Sequence, residues 1–219
     1  MAAFRTHVRA GLVVGYLGGI VAVMNQWISL QATPLLMFAA AFVGSFLPDL
    51  DSDSGTPFDI VFDLFAFTGG CISFYYCLQQ TNRLWTYWLA IPPAVVIFIR
   101  YGVGAIFQKF TVHRGIFHSI PMAMIVTLSM PVLLSSFPLP ARDLAAIALS
   151  VGAGYVSHLV LDEVYATVNF EGLKFSPKKS LGTALALAAP SKPVTIVAYI
   201  LLVALIVYNL PLIAQLLPQ

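Results

Sequence analysis

Charge is what this chain has least of. Only 9% of its 219 residues are Asp, Glu, Lys or Arg, while 59% are hydrophobic and the mean hydropathy is +0.89. Soluble domains carry about 25% charged residues. The composition therefore excludes an ordinary soluble fold. It points to an integral membrane protein with several spans, no separate soluble domain, and one membrane domain over residues 1–219. Cysteine is scarce as well. Cys71 and Cys77 sit in an apolar stretch at a spacing that points them to different helix faces, so they suggest neither a disulfide nor a thiolate metal motif. Soluble linkers and low-complexity tracts are absent. The net charge of +2 is unremarkable, and no nucleic-acid partner is expected.

What is there is oily and periodic. A span needs about 20 apolar residues, and seven runs qualify as candidates: 11–30, 33–48, 58–79, 84–107, 118–137, 143–163 and 193–215. The expected fold is an all-α, polytopic membrane helix bundle of about seven transmembrane helices. Arg5 and Arg9 before the first run mimic a signal-peptide start. The run continues to Leu30 without a small-x-small cleavage pattern, so it reads as an uncleaved first span. Pro48 closes the second run, the third contains Asp63, and the fourth contains Arg100 and Pro92-Pro93. Gly11, Gly15 and Gly19 recur every four residues and form a smooth stripe that lets helices approach closely.

Alternating the loops gives an orientation. One side receives Arg5, Arg9, Lys109, Arg114, Lys174, Lys178, Lys179 and Lys192; the other receives only Arg83 and Arg142. By the positive-inside bias the N-terminus is cytoplasmic. Lys178 and Lys179 suit anionic lipid headgroups.

The few polar residues gather in four islands: Thr6-His7, Pro48-Asp49-Leu50-Asp51-Ser52-Asp53, His113-Arg114-Gly115-Ile116-Phe117-His118-Ser119, and Ser157-His158-Leu159-Val160-Leu161-Asp162. On the topology above, all four fall on the cytoplasmic side or at the cytoplasmic end of a helix. The charge count did not force that agreement, which points to one shared site. His158 and Asp162 stand at i and i+4 on one helix face. They can grip one metal ion together, or Asp162 can orient the imidazole. The plain alternative is a packing hydrogen bond. His113 and His118 would diverge on an unbroken helix, but Gly115 permits a bend that lets them converge. Arg114 adds a cation suited to phosphate or carboxylate. Asp49, Asp51 and Asp53 alternate, so an extended segment would point all three one way. An EF-hand is ruled out by Ser54 at the sixth position and Ile60 at the twelfth. Asp63 and Arg100 suit an intramembrane ion pair, or a phosphate clamp. Four imidazoles with carboxylates and no thiolate suit Zn or Mn; Fe and Mg are also compatible, and there are donors enough for two ions.

In its order of motifs the chain resembles the YdjM family of bacterial inner-membrane proteins, described as metal-dependent hydrolases. The resemblance runs from Thr6 to about Asp162. Phe117 takes the place where the family usually carries Thr, which leaves that hydroxyl's role without a counterpart here. By position, the resemblance implies metal ligands at His7, Asp49, Asp51, His113, His118, His158 and Asp162.

The combined expectation is a multi-pass protein of the bacterial inner membrane that hydrolyses a phosphoester of a lipid or lipid-linked substrate. Its site faces the cytoplasm, its partners are membrane lipids, and self-association into a homo-oligomer is compatible with the sequence. Asp53 is the candidate base. Arg114 and Arg100 are candidate phosphate contacts, with Ser119 beside them. Two rivals stand against it. A metal-ion or proton transporter would place ionisable residues near the midplane on broken helices, and Pro92-Pro93 keeps that reading open. A non-catalytic membrane protein with a structural metal would bind the ion and show no activity.

Overall fold

In a computed structural model, the structure describes residues 3–51, 56–79, 85–110, 115–169, 174–175 and 185–217. Nearly all of these are helical. The helices are α1 (Phe4–Met24), α2 (Thr33–Gly44), α3 (Thr56–Gln79), α4 (Trp85–Ile97), α5 (Gly104–Phe110), α6 (Ile120–Leu133), α7 (Ala141–Thr167) and α8 (Lys192–Leu216). A 3₁₀ turn, Leu47–Asp51, follows α2, and a π-helical segment, Phe98–Val103, joins α4 to α5. The exceptions are a short antiparallel pairing of Val168–Asn169 (β1) with Lys174–Phe175 (β2), and a bridge between Ser119 and Ala186.

Among the described residues, five helical stretches are long and apolar enough to cross a membrane: Phe4–Met24, Thr56–Gln79, Trp85–Lys109, Ala141–Thr167 and Lys192–Leu216. The other two expected spans correspond to shorter helices. With 12 residues in α2 and 14 in α6, they reach about 18 and 21 Å at 1.5 Å per residue. Helix α2 gives way at Ser45 and Phe46 before Pro48, whose nitrogen cannot donate a helical bond. The first helix also begins earlier than hydropathy suggests. Arg5, His7 and Arg9 lower the local hydropathy without breaking the helix, so His7 lies inside α1 rather than ahead of it.

The described residues fall into two compact units, Met1–Pro48 with Arg114–Gln219, and Asp49–His113. Helix α7 is the axis of the first unit. It packs on α1, α2 and α6, and half of its apolar window is buried, far more than in the other candidate spans. Small residues permit this. A Cβ on Gly44 would lie 2.1 Å from the Val151 carbonyl oxygen, and one on Gly154 would lie 2.1 Å from the Ala41 carbonyl oxygen. Helices α2 and α7 therefore touch backbone to backbone, the closest packing that helices in lipid achieve. Ala123 packs with Tyr155 and Leu159 between α6 and α7, and Ile125 with Ala198 and Leu202 between α6 and α8. Asn209 on α8 donates to the Leu128 carbonyl at 3.0 Å, which ties α8 to α6.

At its N-terminal end, α7 holds the connection between α1 and α2. The buried Asp143 carboxylate accepts from Ser29 N (3.0 Å), Leu30 N (2.9 Å) and Thr33 Oγ1 (2.5 Å). Outside this clamp the unit is coated with apolar side chains. Ile196, Ile200, Val203 and Val207 are exposed along α8, and Val13, Leu17 and Ile20 along α1. A continuous apolar coat of this kind suits a bilayer and not water.

In the second unit, α3 packs against the α4–π–α5 run. Close approach at Gly69 and Gly70, where a Cβ would meet Ile99 and Val96 side chains at 2.5 and 2.7 Å, sets their spacing. Trp88 Nε1 donates to the Cys77 carbonyl near one end. Toward the other, Arg100 Nε donates to Asp63 and its Nη2 to Asp59, both at 2.5 Å. The Asp63–Arg100 pairing anticipated in the sequence is present, and Asp59 joins it. Helix α4 runs through Pro92-Pro93, and the change of helical geometry comes later, at the π segment that carries Arg100. Cys71 and Cys77 are both free, as expected.

Candidate metal centre

Tyr155, His158 and Asp162 share one face of α7, because positions three and four apart on a helix stand above one another. That face meets the first turns of α1 and the start of α6. The imidazole of His7 comes from α1 and that of His118 from the turn before α6. His7, His118 and His158 have no exposed surface, and Asp162 has 3%.

The carboxylate is the hub. Asp162 Oδ1 lies 3.3 Å from His7 Nε2, and Oδ2 lies 3.8 Å from His118 Nε2. The rings of His7 and His158 stack with centroids 3.6 Å apart and 14° between planes. The His118 ring stands edge-on to that of His158 at 5.5 Å. Ligand atoms of His7, His158 and Asp162 all lie within 4.8 Å of one another.

Each group is held by its surroundings. His158 Nδ1 lies 2.8 Å from the Ser45 carbonyl oxygen. A carbonyl can only accept, so Nδ1 carries a proton and donates it. Gly11, one turn beyond His7, has no room for a side chain: a Cβ there would lie 2.3 Å from Ser45 Cβ. The glycine stripe thus brings His7 down on the residue that orients His158. On the other side, Ser119 caps α6. Its hydroxyl accepts from Met122 N at 3.3 Å and donates to the Ile116 carbonyl at 2.5 Å. Tyr155 OH donates to the Phe117 carbonyl. The His118 turn is pinned to its own helix and to α7. The Ser119 hydroxyl is buried and engaged in this cap.

Both ring nitrogens of His7 are buried without a hydrogen-bond partner among the described residues. A buried imidazole ordinarily finds one. Here its Nε2 points at Asp162 across 3.3 Å, about the edge of a tetrahedron with ligand bonds of roughly 2.0–2.1 Å. The donor set is nitrogen and oxygen throughout, which fits Zn, Mn or Fe. These residues fit a divalent ion.

Of the remaining candidates, Asp53, His113 and Arg114 lie outside the described residues. Asp49 and Asp51 are on the 3₁₀ turn, in the second unit, where Asp49 follows directly on the buried Pro48; the Asp51 side chain is not described. Arg100, also in the second unit, is bonded to Asp59 and Asp63. Sequence reasoning missed Ser45, because its contribution is a backbone carbonyl that any residue could supply. It also missed Tyr155, although its place one turn before His158 was a usable signal.

One family model, described as YdjM inner membrane protein, matches residues 1–215. No curated protein and no solved structure matches the chain.

Proposed function

On the premise that the chain belongs to the YdjM inner membrane protein family, we propose that it is a metal-dependent hydrolase of the inner membrane that cleaves a phosphoester of a lipid or lipid-linked substrate. The observation that carries this reading is the buried cluster of three imidazoles and one carboxylate, in which His7 has no other partner among the described residues. In the proposed arrangement α2 and α6 are short spans, giving seven in all. The N-terminus and the cluster face the cytoplasm, because the basic loop residues favour that side.

His7, His118, His158 and Asp162 would hold the ion. When bound, a divalent ion supplies Lewis acidity and makes water a nucleophile near neutral pH. Three neutral imidazoles and one carboxylate leave such a site with a net positive charge, which suits an anionic phosphate oxygen. Ser45 and Tyr155 keep His158 and the His118 turn in place. Arg114 is the proposed phosphate contact and Asp53 the proposed base. Those two roles, and the ligand roles of Asp49, Asp51 and His113, rest on the sequence motifs.

The test is hydrolysis by purified protein of phosphatidic acid, diacylglycerol pyrophosphate and isoprenyl phosphates, with Zn or Mn supplied. Phosphate release lost in Asp162→Asn and His158→Ala supports the reading. Absence of release from all three classes, in protein that holds stoichiometric metal, replaces it with a structural metal.

A further inference from the structure

His118 stands directly before the cap of α6, so the groups that fix the first turn of that helix bear on His118. A helix leaves its first N–H groups without partners of its own. In α6, Pro121 has no N–H to place, and Met122 N donates to the Ser119 hydroxyl at 3.3 Å. The Ile120 N–H is met from outside the helix, by the Ala186 carbonyl at 3.0 Å. That bond belongs to a parallel bridge between Ser119 and Ala186. A residue in a parallel bridge faces both chain neighbours of its partner, so Ala186 lies against the backbone on either side of Ser119, at His118 and at Ile120. His118 and Ser119 have no exposed surface, whereas Leu185 and Leu187 beside the bridge are exposed.

Residues 185–189 form a strap that belongs to no helix. Helix α8 holds it. Tyr199 OH donates to the Leu187 carbonyl at 2.9 Å, and Thr195 Oγ1 accepts from Ala189 N at 3.0 Å. Thr195 and Tyr199 are four residues apart and share one face of α8. Helix α8 is itself seated on α6, and Ile116 and Met122 pack on the same cluster of Ile125, Ala198 and Leu202. The His118 turn is therefore tied on two sides. Tyr155 ties it to α7, and the strap ties it to α8. The α8 tie reaches it through main-chain groups, which leave no signal in the sequence.

We propose that the strap, with Thr195 and Tyr199 behind it, positions His118 as a metal ligand, so that α8 is part of the frame of the metal centre. The hold on the His118 turn rests on the bonds above; its effect on an ion rests on the metal-centre reading.

Proline at position 120 isolates the link. Ile120 is the first residue of α6, where proline is well tolerated. Ser119, at φ −145° and ψ 153°, already has the extended backbone that a following proline requires. Ile120→Pro deletes the N–H that meets Ala186. Ile120→Val trims the side chain and keeps that N–H, so it is the control. Thr195→Val combined with Tyr199→Phe removes the α8 bonds instead, and carries the test should Ile120→Pro misfold.

Two readouts are taken on detergent-purified protein. In metal-free protein, modification of His7, His118 and His158 by diethyl pyrocarbonate is followed by peptide mass spectrometry. In parallel, cobalt(II) is titrated against a chelator, and the visible absorption of the bound ion reports its coordination. In both test variants His118 should be modified about tenfold faster, the factor that one lost hydrogen bond of about 1.4 kcal/mol gives, with His7 and His158 changed less. Cobalt affinity should fall by about tenfold, and the absorption should move toward that of His118→Ala. Ile120→Val should match the wild type in both. Unchanged His118 reactivity, or an unchanged spectrum in cobalt-loaded variants, overturns the positioning role and leaves the metal centre standing. A wild type that binds no cobalt, beside variants in which His118 alone becomes reactive, supports the strap's hold on the turn and overturns the metal centre.

Discussion

Removing the Asp143 carboxylate should weaken the first unit without touching the metal. In Asp143→Ala the backbone N–H groups of Ser29 and Leu30 and the buried hydroxyl of Thr33 lose their common acceptor. Hydrogen bonds to a charged group are worth about 1.5–3 kcal/mol each. Ser29 and Leu30 lie in an exposed loop where water replaces part of the loss, so a total of roughly 2–4 kcal/mol is expected. For a chain of this size, 1 kcal/mol shifts the unfolding midpoint by about 2–4 °C; the midpoint in detergent should fall by roughly 5–15 °C. Thr33→Val removes one of the three bonds and should fall by a third of that or less. Asp143 and Asp162 are 19 residues apart on α7, about 28 Å, so the metal content of folded protein should equal that of the wild type. A midpoint within about 1 °C of wild type would refute the clamp. A loss of metal in folded Asp143→Ala would refute the separation of the two ends.

Three further outcomes follow from the site. Gly154→Ala drives a methyl into the Ala41 carbonyl. It should cost about 1–3 kcal/mol in thermal unfolding and lower metal content too, because Ser45 and His158 sit on the two helices forced apart. Gly18→Ala, whose Cβ would meet only Met37 Cε at 3.8 Å, should change neither. Tyr155→Phe releases the His118 turn and should weaken metal affinity by about 10–100-fold in chelator competition, the usual scale for groups that orient ligands. Metal retention should fall as the medium is acidified, because metal ligands must be deprotonated to bind an ion; occupancy unchanged in acid would argue against ligation by these groups.

Much of this was legible in the sequence because lipid imposes strong rules. Apolar runs announced the helices, and the scarcity of polar residues made His7, His118, His158 and Asp162 conspicuous. The structure brings those four together. Hydropathy misjudged the start of α1, since it scores Arg5 and Arg9 as breaks although both are good helix formers. It also lengthened α2 and α6, because Phe46, Leu47 and Phe137 remain apolar after the helix has ended. Asp143 escaped notice because an acidic residue at a helix start reads as an ordinary favourable dipole contact. Its partners are Ser29, Leu30 and Thr33, more than a hundred positions away. Ser45 acts through its carbonyl, which carries no sequence signal, and Asp59 became meaningful only when the π segment set Arg100 against it.

The central claim is that His7, His118, His158 and Asp162 form one metal centre. Its most direct test is elemental analysis of detergent-purified protein, wild type beside His7→Ala, His158→Ala and Asp162→Asn. The account predicts stoichiometric Zn, Mn or Fe in the wild type and its loss in all three variants while each remains folded. Metal-free wild type after supplementation, or full metal in His7→Ala and Asp162→Asn, would contradict it and make the cluster a hydrogen-bonded or proton-carrying network.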